Sequence, residues 1–225
     1  RLRIWPGRFH FSDKTLTMLQ YITHPSERYS ELEQARMVID GGCRWIQLRM
    51  KDATDEEVRK TALELIPLCR ETDTFLIIDD RVELVDELRV SGVHLGKNDM
   101  SPREAREKLG PHAIIGCTAN TAADILALRG IDVDYVGLGP VKPTQTKKNL
   151  SPILGTAGVA AVMSEVRAAG MTIPVVAIGG VTAEDVPALM AAGVNGVAMS
   201  GAILRAGNPE FYTAKVIETL ENSLK

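Results

Sequence analysis

The strongest constraint on this chain is an alternation. Eight short apolar runs stand out: TMLQYI (17–22), RWIQLR (44–49), FLII (75–78), VHL (93–95), AIIGC (113–117), YVGLG (135–139), VVAIG (175–179) and GVAMS (196–200). Amphipathic stretches between them read as helices at 30–40, 55–71, 82–88, 102–109, 122–128, 158–169 and 184–192, with a last one over 209–224. Strand followed by helix, repeated, predicts parallel strands joined by crossover helices. The runs are nearly continuous in apolar residues, as strands covered on both faces are. Gly42, Gly92, Gly130 and Gly193 each follow a helix and precede a strand, and each is expected to cap its helix in the left-handed region. Eight units in 225 residues leave about 28 residues apiece, a compact (β/α)8 barrel. An open doubly wound sheet is the alternative, but no G-x-G-x-x-G follows the first run. We therefore expect one α/β domain over 1–225, a single (β/α)8 TIM barrel, with residues 1–15 as an N-terminal extension.

Composition removes several function classes. The net charge is −3, so no global positive field recruits nucleic acid or an anionic membrane. Aromatics make up only 4%, too few for base-stacking platforms. No apolar run approaches the length of a membrane span. The start, RLRIWPGRFHF, lacks an apolar signal core, and its first residue, Arg1, leads us to expect a trimmed start. Cys43, Cys69 and Cys117 are odd in number and widely spaced. They suit buried thiols in a reducing cytoplasm better than a disulfide or zinc framework.

In a barrel, chemistry gathers at the carboxyl ends of the strands. After the second run, Gln47, Arg49 and Lys51 alternate with Leu48 and Met50. Two cations and an amide inside a barrel mouth call for an anion, and Arg with Lys suits phosphates. The third run ends in Asp79-Asp80, and Asp99 follows the fourth. Asp80 and Asp99 could hold Mg2+, which takes one or two carboxylates plus substrate oxygens; Asp80 could instead cap the helix after it. His94 reads equally as a hydrogen-bonded core residue. Thr118 and Asn120 offer neutral groups suited to a polar heterocycle, or they begin the next helix. The loop carrying Thr144, Gln145, Thr146 and Lys147 looks like a phosphate-gripping lid. Gly179-Gly180 and Ser200-Gly201 end the last two strands, where barrels commonly bind a phosphate. The residues thus argue for two anion sites, a diphosphate with Mg2+ near strands two to four and a monophosphate near strands seven and eight.

The chain resembles the thiamin-phosphate synthase family. The motifs that carry the resemblance are QLRMK (47–51), DD (79–80), GVHLGKND (92–99), GCTAN (116–120), DYVGLGPVKPTQTKK (134–148), AIGGV (177–181) and AMSGA (198–202). The resemblance implies a (β/α)8 barrel that joins hydroxymethylpyrimidine diphosphate to a thiazole phosphate, giving thiamin phosphate and diphosphate. It implies that Gln47, Leu48, Arg49, Met50, Lys51 and Lys147 hold the pyrimidine diphosphate, with Asp79 beside them. Arg49, Lys51 and Lys147 would stabilise the departing diphosphate. Asp80 and Asp99 match Mg2+ ligands, and Thr118 matches a pyrimidine contact. Thr144, Gln145, Thr146, Gly180, Ser200 and Gly201 match the thiazole phosphate site. Three positions depart from the family pattern: Asp79 stands for Asn, Thr118-Ala119-Asn120 for Ser-x-His, and Lys97 for Gln. The competing readings are a thiazole tautomerase of the same superfamily and a non-catalytic thiamin-phosphate binder. The partners expected are small-molecule substrates, with no nucleic acid and no membrane; whether the chain forms a homo-oligomer is left open by the sequence.

Overall fold

The computed structural model describes residues 19–143 and 152–224. Eight strands, β1 (Leu19–Ile22), β2 (Trp45–Leu48), β3 (Phe75–Asp79), β4 (Gly92–Leu95), β5 (Ile114–Ala119), β6 (Tyr135–Leu138), β7 (Val175–Ile178) and β8 (Gly196–Met199), pair in parallel in chain order. β8 pairs back onto β1 through Leu19–Val197 and Tyr21–Met199, which closes the barrel. The helices are α1 (Glu31–Asp40), α2 (Asp55–Glu71), α3 (Val82–Leu88), α4 (Pro102–Leu109), α5 (Ala122–Leu126), α6 (Gly155–Ala168), α7 (Val186–Ala191), α8 (Gly201–Leu204) and α9 (Pro209–Asn222). The expected barrel is the observed one. Residues 17 and 18 of the first run and the expected 1–15 extension lie outside the described residues.

Local chemistry sets the helix starts. Ser30, Thr54, Ser101 and Thr121 each accept a hydrogen bond from the third residue of the helix, whose Glu or Asp reaches back to the cap backbone. These capping boxes satisfy amides that have no partner within the helix. Where the expected limits shift, the cause is local. The helix expected at 158–169 begins at Gly155. The one expected at 184–192 splits into a 3-10 turn, Ala183–Asp185, and α7, with Pro187 near the start of α7. Gly42, Gly130 and Gly193 do take positive φ. Gly92 does not cap a helix: it is the first residue of β4, and Arg89 occupies the left-handed cap at φ 52°. Gly92 is required for space, because a Cβ there would meet the Ile114 backbone.

Side chains alternate between two cores. Leu19, Tyr21, Ile46, Leu48, Ile78, Val93, Leu95, Val136 and Val197 pack outward against the helices. Ile22, Trp45, Phe75, Ile77, Ile114, Tyr135, Val176 and Ala198 fill the barrel itself. Two glycines on inward positions make room for rings. A Cβ on Gly116 would overlap the Tyr135 ring, and one on Gly137 would meet His94 at 3.3 Å. Gly116→Ala is therefore expected to destabilise the barrel by about 3 kcal/mol through overpacking, read as a lower denaturant midpoint. A midpoint equal to that of the unaltered chain would remove the close approach.

The three cysteines are free and buried. Burial pushes Cys43 up to about 11 and Cys69 and Cys117 up to about 12, so all three stay as thiols at neutral pH. Among the described residues, no helix is long and apolar enough to cross a membrane.

Candidate active site

The polar residues of the barrel interior collect at the carboxyl ends of the strands. Alternation along β2 turns Gln47 inward and Leu48 outward, and the next inward positions are Arg49 and Lys51. They converge on the end of β3. Gln47 Nε2 donates to Asp79 Oδ1 at 2.6 Å. Arg49 Nε lies 3.7 Å from Asp79 Oδ2, and Lys51 Nζ lies 3.3 Å from the same atom. Lys51 also bonds Asp80 Oδ2. The neighbouring Asp79, Asp80 and Asp99 charges outweigh partial burial and raise the Lys51 ammonium above the ordinary lysine range. The Arg49 amide donates to Thr23 Oγ1 at 2.9 Å, which ties this corner to the end of β1. Leu48 and Met50 pack with the helix-side core, so their side chains are turned away from this cluster.

Asp80 does not cap α3. The cap position is Arg81, which makes no side-chain cap bond. Asp80 instead sits at φ 65°, a region few non-glycine residues enter. Its Oδ1 is buried without a hydrogen-bond partner. Asp99 Oδ2 accepts from the Gly96 amide at 2.6 Å. Burial first, and the adjoining Asp80 carboxylate second, raise the Asp99 carboxyl above its ordinary range. Two cations, Arg49 and Lys51, thus meet three carboxylates, Asp79, Asp80 and Asp99. Two hard oxygen donors, one with an orphaned oxygen and one resisting ionisation, fit a divalent cation such as Mg2+. Among the described residues, no group of three or more His, Cys, Asp and Glu side chains is arranged to hold a metal. Further ligands would have to come from substrate or water.

Two strands further round the mouth, Thr118 at the end of β5 lies with Oγ1 3.0 Å from His94 Nε2. Asn120 turns away and donates to the Gly139 carbonyl at 2.5 Å. Lys97 pairs with Asp124 at 2.6 Å, near the start of α5. Of the phosphate-site residues, Gly180 has φ 69° and packs against Lys142 and Pro143. Ser200 ends β8 with its Oγ buried and unpartnered. Gly201 opens α8 directly under the Arg205 guanidinium. Thr144, Gln145, Thr146 and Lys147 lie outside the described residues.

Sequence reasoning missed three participants. Gln20 and Tyr135 line the barrel beneath His94 and bond it into a chain. Arg205, the residue after α8, folds its guanidinium back over Gly201. Inward alternation in β1 and β6 marks the first two; Arg205 carries no comparable signal.

A family model described as thiamine monophosphate synthase matches residues 19–203. A thiamine-phosphate synthase of Bacteroides fragilis is 54% identical over 199 residues, covering 88% of this chain and 98% of that protein. One of Flavobacterium johnsoniae is 37% identical, covering 90% and 95%. Among solved structures, a thiamine phosphate pyrophosphorylase from Pyrococcus furiosus superimposes with a TM-score of 0.80 at 30% identity, covering 94% of this chain and 98% of that one.

Proposed function

The chain belongs to the thiamine monophosphate synthase family and is a transferase of the thiamine-phosphate synthase type, and from that premise we propose how its own residues carry the reaction. The substrates are hydroxymethylpyrimidine diphosphate and a thiazole phosphate; the products are thiamin phosphate and diphosphate. The observation that carries this reading is the convergence of Gln47, Arg49 and Lys51 on Asp79 and Asp80 at the barrel mouth.

The electron-rich aminopyrimidine stabilises positive charge on its methylene, so the C–O bond to diphosphate breaks before the thiazole nitrogen attacks. No protein nucleophile is needed. The residues must hold the leaving diphosphate, and Arg49 and Lys51 do so as a fork and a point charge. Lys147 adds a third cation. Asp79 orients Gln47 and Arg49, and it cedes the cations to the diphosphate, the stronger anion. Asp80 and Asp99 would hold Mg2+, which when bound supplies Lewis-acid charge to diphosphate oxygens. Thr118 contacts the pyrimidine. Gly180, Ser200 and Gly201, with Thr144, Gln145 and Thr146, hold the thiazole phosphate and so set its ring nitrogen in line with the methylene.

The test is direct coupling of the two substrates, followed by thiamin phosphate and diphosphate release, with Mg2+ and with a chelator. Formation of both products, lost on chelation, is the expected result. Isomerisation of a thiazole phosphate carboxylate without coupling would move the chain to the tautomerase reading. Binding of thiamin phosphate with neither reaction would make it a binder.

A further inference from the structure

Beneath the mouth runs a line of buried polar groups, Gln20, Tyr135 and His94, that the reaction above does not use and that ends on Thr118. Gln20 is 1% exposed and Tyr135 is fully buried. Gln20 Nε2 donates to the Tyr135 hydroxyl at 2.9 Å. That hydroxyl lies 2.9 Å from His94 Nδ1, and His94 Nε2 lies 3.0 Å from Thr118 Oγ1. Four residues from four strands thus connect the barrel floor to the mouth. The barrel gives up volume for them, since Gly116 and Gly137 are the positions where a Cβ would strike Tyr135 and His94. Trp45 stands edge-on to the Tyr135 ring at 4.7 Å, holding it in place.

The line has a direction. An amide nitrogen can only donate, so Gln20 donates a hydrogen bond to the Tyr135 oxygen. In the direction proposed below, the Tyr135 hydroxyl donates to His94 Nδ1. A neutral imidazole that accepts at Nδ1 carries its proton at Nε2. Nε2–H therefore donates to Thr118 Oγ1. Accepting from Nε2–H, the Thr118 hydroxyl then has its own proton to donate at the mouth.

We propose that Gln20 and Tyr135 are positioning residues which, through His94, set the Thr118 hydroxyl as a hydrogen-bond donor and so select a heterocycle presenting an acceptor nitrogen. This rests on the reading of Thr118 as a contact to the pyrimidine. Reversal of the chain would turn Thr118 into an acceptor and favour a heterocycle presenting an N–H instead.

Nitrogen-15 NMR of the full chain labelled at histidine decides the direction, with His94→Asn identifying the His94 signals. The expected result is a neutral ring protonated at Nε2 and bare at Nδ1, with that preference lost in Tyr135→Phe, which keeps the ring against Trp45. A ring protonated at Nδ1 in the unaltered chain overturns the proposal. In coupling assays, Tyr135→Phe should raise KM for the pyrimidine diphosphate about tenfold, the size of one neutral hydrogen bond, while kcat and the thiazole phosphate KM stay within about twofold. Thr118→Val should do the same, and the double variant should be no worse than either single, because both break one chain. Additive losses, or equal losses toward both substrates, overturn it. Absence of coupling by the unaltered chain would overturn the functional reading instead, and the histidine tautomer would still decide the relay.

Discussion

Asp99→Asn is expected to abolish Mg2+-dependent coupling and, in the same preparation, to raise the melting temperature of the metal-free protein. Both effects come from one carboxylate. Asp99 sits partly buried beside Asp80, and its carboxyl is raised above the ordinary range by that burial and that neighbour. A raised folded-state value means that ionising the group costs more in the barrel than in the unfolded chain. The protonated form is therefore the one the fold favours, and an amide mimics it. The amide oxygen still accepts from Gly96. At pH below the ordinary carboxylate value, near 4, the variant and the unaltered chain should melt alike. As pH rises through that value the variant's advantage grows, and it levels off once pH has passed the raised one. Coupling should fall by about 100-fold or more, the scale of removing one preorganised charge from a reaction centre. Thermal melts across pH and coupling rates at saturating Mg2+ check the two arms. Full activity, or a lower melting temperature at neutral pH, would take Asp99 out of the metal role.

The second large effect is expected at Arg49. Arg49→Ala removes the guanidinium proposed for the leaving diphosphate and leaves Asp79 and Asp80 facing Lys51 with less compensation. The loss in kcat should be about 10²–10³-fold, with the thiazole phosphate KM little changed. Arg49→Lys should recover only part of it, because a point charge cannot reproduce the planar fork. A rise in KM for both substrates with kcat intact would show that Arg49 serves general binding and not the departing diphosphate.

The barrel was legible because each βα unit advertises itself twice, by an apolar run and by the helical stretch that follows it. The Arg49, Lys51, Asp80 and Asp99 cluster was legible because charges at strand ends inside a closed ring have few uses. Gly92 misled because two demands look alike in a sequence. A glycine required for positive φ and a glycine required for close approach to Ile114 both read as a glycine before a strand. Asp80 offered capping or metal binding, and the cap position at Arg81 removes the first of these. The Gln20–Tyr135 bond spans 115 positions, and local periodicity holds no record of a partner that far away. Both residues could be assigned to the interior, but their pairing depends on the ring's register.

The β1–β8 seam has a consequence for how this protein acquires activity. The strands that seal the ring are the first and the last, and each contributes to the mouth. The β1 segment brings Gln20 at the foot of the buried polar line and, at the mouth, the Thr23 hydroxyl that accepts from the Arg49 amide; Ser200 and Gly201 follow β8. A chain with seven strands assembled has most of its hydrophobic contacts and an unfinished mouth. Enzymatic competence should thus arrive only with the final pairing, so that turnover reports complete closure where helical content does not. The same seam makes the covalent order of the strands dispensable: a permuted chain that starts at another unit keeps every neighbour, provided its ring can still shut.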